Sequence, residues 1–165
     1  MTYRSFDQGG KSPPHPPHKE REDEPDFSIW YRGKLKDGYF DNEKKTIKAD
    51  LLIDIPIQVA KRFGEAGVTS TQLRRFFTHV RSAERELWNK QFPDIVPKLQ
   101  MLQPMAANYV GRGKNKYERE SREIFKSFID RNIELATESK KSFEEGFIPH
   151  FESVLAYFKY YCPNK

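Results

Sequence analysis

The chain holds one cysteine, Cys162, in 165 residues. A lone thiol forms no internal disulfide and no multi-cysteine zinc site, so packing must hold the fold, as suits a reducing compartment. No apolar run approaches the roughly 18 residues that a membrane-spanning helix needs, which excludes a spanning helix. The opening residues, MTYRSFDQGG, lack the basic-then-apolar order of a secretory signal, and a cytoplasmic location is expected. There is no glycine-rich phosphate loop after a strand, no nucleophile elbow and no HExxH. No cofactor, no metal and no catalytic constellation are therefore expected.

Aromatic residues and positive charge are plentiful: 13 Phe, 8 Tyr and 2 Trp, with a formal net charge of +5. That length and aromatic content suffice for one core and one domain. Residues 1–26 hold five of the eleven prolines, six acidic residues against four basic, and only Met1, Tyr3 and Phe6 as possible anchors. Such a segment cannot bury enough apolar area to offset its ordering entropy, and a disordered tail is expected. The remaining 139 residues carry 25 basic against 18 acidic groups, so the folded part is the basic part.

Residues 27–48 carry aromatics broken by Gly33, Asp37-Gly38 and Asp41-Asn42, which reads as an arm with turns. From Ile47 the spacing Leu51, Leu52, Ile55, Val59, Ala60, Phe63 is helical, with Pro56 in an early turn and a stop at Gly64–Gly67. Thr69-Ser70-Thr71-Gln72 is a capping box that opens a helix whose inward residues are Leu73, Phe76, Phe77, Val80, Ala83, Leu87 and Trp88. Phe92-Pro93-Asp94 ends it, and Asp94 caps a segment through Leu102 that Pro104 kinks or breaks before Tyr109 and Val110. Two further helices are expected, at about 115–138, with Tyr117, Phe125 and Phe128 inward, and at about 141–161, with Phe143, Phe151 and Phe158 inward. The expected class is all-α, an antiparallel bundle of about five helices.

On the capped helix, Arg74, Arg81 and Arg85 fall roughly 80–120° from Leu73 and make one row, with Arg75 further out. A solvated charged face is the default reading of such a row. No acid shares the row, however, and guanidinium forks match phosphate oxygens bidentately, which favours nucleic-acid backbone binding. Arg112, Lys114 and Lys116 form a second basic cluster on a glycine-bearing loop beside Tyr109, with Lys98 on the preceding helix. Loop amides could approach an anion there and the tyrosine could stack on a base.

Arg74 and His79 match the spacing of a helical ribonuclease pair, yet they stand about 140° apart on a regular helix. His15 and His18 lie among prolines without further metal ligands, and His150 reads as structural. Tyr157, Phe158, Tyr160 and Tyr161 crowd the last helix densely enough to leave an apolar face for a partner.

TSTQLRRFFTHVRSAERELW, LQMLQPMAANYVGR and FIPHFESVLAYFKYY, in that order, resemble the small helical subunit of the type III-A CRISPR effector, the Csm complex. The matching positions are Thr69, Gln72, Leu73 and Arg74; then Leu99, Leu102, Pro104, Tyr109, Gly111 and Arg112; then Phe147 or Ile148, Phe151, Glu152, Ala156, Tyr157 and Lys159. YFDNEKKTIKADLL adds to the likeness, which runs from residue 39 to 161. The resemblance implies a non-catalytic subunit present in several copies, stacked as a filament along the duplex of guide RNA and target RNA. Its partners would be the backbone, large and capping subunits, with self-association into the filament and a monomer or a homodimer as the form of the isolated chain. RNA-backbone contacts are then expected from Arg74, Arg75, Arg81, Arg85, Lys98, Arg112 and Lys114. A protein-interaction adaptor, a small subunit of another type III subtype and a helical ribonuclease are the alternatives.

Overall fold

The computed structural model describes residues 25–165, and the expectation of a disordered tail lies, up to residue 24, outside them. Seven α-helices make up the described chain: α1 (Phe27–Lys34), α2 (Asp54–Glu65), α3 (Ser70–Glu86), α4 (Phe92–Gln100), α5 (Leu102–Gly111), α6 (Lys116–Ala136) and α7 (Ile148–Tyr161). Among the described residues the sole β feature is an isolated bridge between Phe40 and Ile47. The fold is the all-α bundle that the periodicity predicts.

The helix count differs from five at two places. The first eight residues of the expected arm form α1, capped by the Asp26 carboxylate, which accepts from Ser28 N–H (2.9 Å) and Ile29 N–H (3.2 Å). Phe27, Tyr31 and Leu35 recur every fourth residue and are all buried, so the helical signal is present despite Gly33. The second place is Met101, where the helix breaks and α5 restarts with Pro104 in its first turn, where a missing N–H costs nothing. Ahead of α2, the expected helix start at Ile47 is instead a short 3-10 turn at Ala49–Leu51. The last helix begins with a wider π-helical turn, Ser142–Phe147, in which Gly146 leaves room for the Tyr39 ring that any Cβ would strike.

α7 packs against α2 and α3, while α6 packs against α5 and α1. The core is ring upon ring: Phe125 meets Phe63, Phe76 and Tyr109 edge-on, and Phe128 meets Phe63 and Phe151. Trp88 and Tyr117, expected inward, are 83% and 55% exposed because α3 ends at Glu86 and Tyr117 lies in the open first turn of α6.

One polar chain threads this core. His150 is fully buried, donates Nδ1–H to Leu51 O (2.6 Å) and accepts the Tyr31 hydroxyl proton at Nε2 (2.7 Å). Asn132 Nδ2 donates to the Tyr31 oxygen (2.7 Å) and to Phe128 O (2.8 Å), and its Oδ1 accepts from the Tyr39 hydroxyl (2.7 Å). Every member is satisfied, which removes the usual penalty for burying polar groups. This chain, with a two-pronged Arg32–Glu134 ion pair (2.9 and 2.7 Å), fastens α1 to α6 and α7.

Candidate nucleic-acid interface

α3 positions most of the candidate cations, and its start follows from the sequence directly. Thr69 Oγ1 accepts from Gln72 N–H (3.3 Å) while Gln72 Oε1 accepts from Thr69 N–H (3.2 Å). With Leu73, Phe76, Val80 and Ala83 sealed into the core, the two flanks of α3 are set.

On one flank stand Arg74, Arg81 and Arg85. Arg74 lines a cleft between α3 and α7 together with Phe77, Glu152 and Lys159. Among the described residues neither Arg74 nor Arg85 is paired with a carboxylate. Arg81 is paired: Glu84 reaches it at 2.7 Å, although the two lie some 60° apart on a helix wheel. No acid sits in the row itself, but Glu84 reaches into it from a neighbouring face at Arg81. Both side chains of the pair are partly exposed, and such pairs contribute about 0–1 kcal/mol, so a phosphate could displace Glu84.

The opposite flank carries Arg75, His79, Ser82 and Glu86, and here α4 crosses. Lys98 Nζ donates to Ser82 Oγ (2.8 Å) and to Glu86, which also takes Lys90 (2.9 Å). Lys98 and then Lys90 hold the Glu86 carboxyl down to about 2. Lys98 thus clamps α4 to α3 and does not join the arginine row. His79 Nε2–H donates to Lys98 O (2.7 Å) in the same clamp, and it faces away from Arg74. The pair that a helical ribonuclease would use does not converge.

Further along this flank, Arg75 and Arg112 line one cleft of about 240 Å³ with Arg122 and Tyr109. Sequence reasoning did not single out Arg122, whose signal is only that it lies one helical turn from Glu118 and Arg119. Its Nη1 donates to Tyr109 O (2.9 Å), and its guanidinium covers the Tyr109 ring at 4.7 Å. The ring also meets Phe125 at 5.7 Å and Tyr109 is only 8% exposed, so it is core packing and not the open stacking platform expected of it. Burial pushes the Tyr109 phenol up, opposed by the charge of Arg122 and by a hydrogen bond from Gln72.

The glycine-bearing loop also works differently from expectation. Arg112 N–H bonds Asn108 O (3.1 Å), Gly113 N–H bonds Val110 O (2.9 Å), and Lys114 N–H bonds the Glu118 carboxylate (2.9 Å). These amides close α5 and cap α6, so none of them is open to an anion. Gly113 is small for a different reason: a Cβ there would stand 2.9 Å from Arg119 N. Lys114 is an exposed side chain on this turn, and Lys116 pairs loosely with Glu120 (3.6 Å).

Elsewhere, Tyr160 and Tyr161 are 76% and 41% exposed at the end of α7, with Lys61 over the Tyr161 ring (4.7 Å). Among the described residues no cluster of His, Cys, Asp or Glu could hold a metal ion, and His15 and His18 lie outside them. No described helix is long and apolar enough to cross a membrane.

No curated protein and no solved structure matches the chain. The family model described as Csm2 Type III-A matches residues 46–164, from just before α2 through α7, and the chain belongs to that family, the small subunits of the type III-A Csm complex.

Proposed function

We propose that this chain is a non-catalytic subunit that stacks in several copies beside the backbone subunits of the Csm complex and grips RNA by its sugar-phosphate backbone. Base pairing between guide and target supplies sequence recognition in such a scheme, so the protein needs cations and not base-reading amides. The observation that carries the reading is the α3 row. Arg74 and Arg85 lack a carboxylate partner among the described residues, with Arg81 between them held only by an exposed pair. Arg75, Arg112 and Lys114 extend the positive surface on the other flank of α3. Lys98 is left out of the contact set, because its ammonium is spent on Glu86 and Ser82.

The exposed Tyr160 and Trp88 supply surface for neighbouring copies or subunits, and they also favour a second reading, an adaptor that never touches nucleic acid. Salt-dependent RNA binding separates the two. Against single-stranded RNA, the Arg74→Gln, Arg85→Gln double variant should bind more weakly, with a log K against log salt slope shallower by about 1.4, two contacts at about 0.7 each. Unchanged affinity and slope in a variant of native circular dichroism would favour the adaptor. RNA should remain intact on incubation with the purified chain, and cleavage abolished by His79→Ala would overturn the non-catalytic assignment.

A further inference from the structure

The cleft that joins α3, α5 and α6 differs in charge from three other clefts of the described surface. Glu65 and Glu120 line the cleft beside Pro25, Glu152 lines the one beside Arg74, and Glu118 the one beside Tyr117. No carboxylate lines the cleft of Arg75, Arg112 and Arg122. Glu118, outside the lining, lies 3.6 Å from Arg122 and also accepts the Lys114 amide.

The three arginines have different freedoms. Arg122 is fixed by Tyr109, through both its carbonyl and its ring, and contributes a stationary positive charge at the wall. Arg75 projects from α3 and Arg112 from the C-terminal cap of α5, and both are exposed without a carboxylate partner among the described residues. Two open guanidinium forks beside one fixed cation suit an anion with several oxygens spread over a tetrahedron. Phe76 and Met105 give the lining an apolar part against which the carbon face of a sugar can rest, and Asn108 adds an amide within reach of hydroxyls.

Size limits the ligand. Pockets for whole drug-sized molecules run from about 300 to 1,000 Å³, whereas this cleft offers about 240 Å³. It has room for a fragment of a nucleotide, without its base. We propose that the cleft seats one sugar-phosphate unit, with Arg75 and Arg112 clamping the phosphoryl oxygens and Arg122 positioning Tyr109 and the charge behind them. This deepens the RNA-backbone reading and rests on it for the source of the unit, while the phosphoryl site itself stands on the cleft. It shares no lining residue with the Arg74 cleft and is a separate site on the other flank of α3.

The test uses the full chain, labelled for arginine Nε–H resonances and titrated with ribose 5-phosphate, with ribose as the uncharged control. Saturable shifts at Arg75 and Arg112, at least tenfold weaker in affinity for Arg75→Gln, Arg112→Gln and unchanged in Arg74→Gln, Arg85→Gln, would establish the site. Absent shifts, or shifts of equal size at Arg74 and Arg85, would overturn it. RNA binding by the same variants identifies the source. If Arg75→Gln, Arg112→Gln loses RNA affinity as well, the unit comes from the strand. If it loses only ribose 5-phosphate, the site stands and its occupant is a free nucleotide phosphate. Loss of the site with RNA affinity still sensitive to Arg74 and Arg85 would leave the proposed function in place.

Discussion

His150 shows how much one residue can decide about pH. Its ring accepts at Nε2 from Tyr31 and donates at Nδ1 to Leu51 O, which is the pattern of the neutral imidazole. A second ring proton would find the Tyr31 oxygen already taken by Asn132 and would displace the hydroxyl proton from its acceptor. Burial, opposed in part by the Leu51 carbonyl, lowers the ring from 6.5 to about 4. The unfolded chain therefore binds this proton first, and stability falls as pH drops from about 6.5 toward 4, by about 3 kcal/mol in all. Urea titrations at pH 7, 5.5 and 4 should show that loss in the wild type and a shallower decline in His150→Gln. Equal declines would mean that the ring titrates normally. The structural role of His150 was readable from its aromatic-rich helix, but its partners, 99 and 119 residues away in the chain, were not. The arginines divide in the same way. Their row on α3 is a matter of 100° steps and is visible in the sequence, whereas Glu84 reaching Arg81 depends on side-chain length and rotamer. Which flank of α3 meets Lys98 depends on where α4 crosses, a fact of the packed bundle.

Among the elements, those with chemical punctuation were the ones legible beforehand. α3 starts at the capping box and α6 at Asn115, whose side chain accepts from Glu118 N–H at 2.9 Å. α1 carries the same kind of signal, Asp26 followed by a four-residue aromatic repeat, but eight residues containing a glycine fall below the length at which periodicity separates helix from arm. Its order comes from Tyr31 and Leu35, buried against α6 and α7, and from Arg32 on Glu134. The family match begins at residue 46, so α1 is an addition to the matched region that nevertheless completes its polar core. The π-helical turn at Ser142–Phe147 has no residue signature beyond Gly146 and follows from accommodating Tyr39. The capping box is the simplest element to test. Thr69→Ala removes one of its two reciprocal bonds and should cost about 1 kcal/mol in urea unfolding with an unchanged m-value. Because Gln72 sits at the mouth of the arginine cleft, fraying of this turn should also broaden the Arg75 Nε–H resonance. A variant as stable as the wild type would show that α7, packed along α3, already determines where the helix begins.

For the whole molecule the decisive feature is that α3 carries cations on both flanks with the core beneath it. The folded part holds seven more basic than acidic residues, and most ion pairs among the described residues are local, such as Lys126–Asp130 and Arg131–Glu134, while Arg74, Arg75, Arg85 and Arg112 are left without a carboxylate partner among them. A polyanion that touched only the α3 row would meet Arg74, Arg81 and Arg85 and not Arg75 or Arg112, which line a cleft on the other flank of the helix. Engagement of both flanks requires the strand to pass over the N-terminal end of α3, where Arg74 and Arg75 are neighbours in sequence on diverging sides. Counterion release reports the number of neutralised phosphates without reference to their arrangement, so salt slopes can distinguish these geometries. If both flanks grip one single-stranded RNA, the fourfold variant Arg74→Gln, Arg75→Gln, Arg85→Gln, Arg112→Gln should lose about 2.8 units of slope, twice the loss of either double variant. If one flank faces solvent or a protein neighbour, its pair of substitutions should leave the slope where it was, and the fourfold variant should behave as the other pair alone. The expected result is the additive one, since the two flanks share no side-chain partner and each neutralised phosphate releases its own counterions.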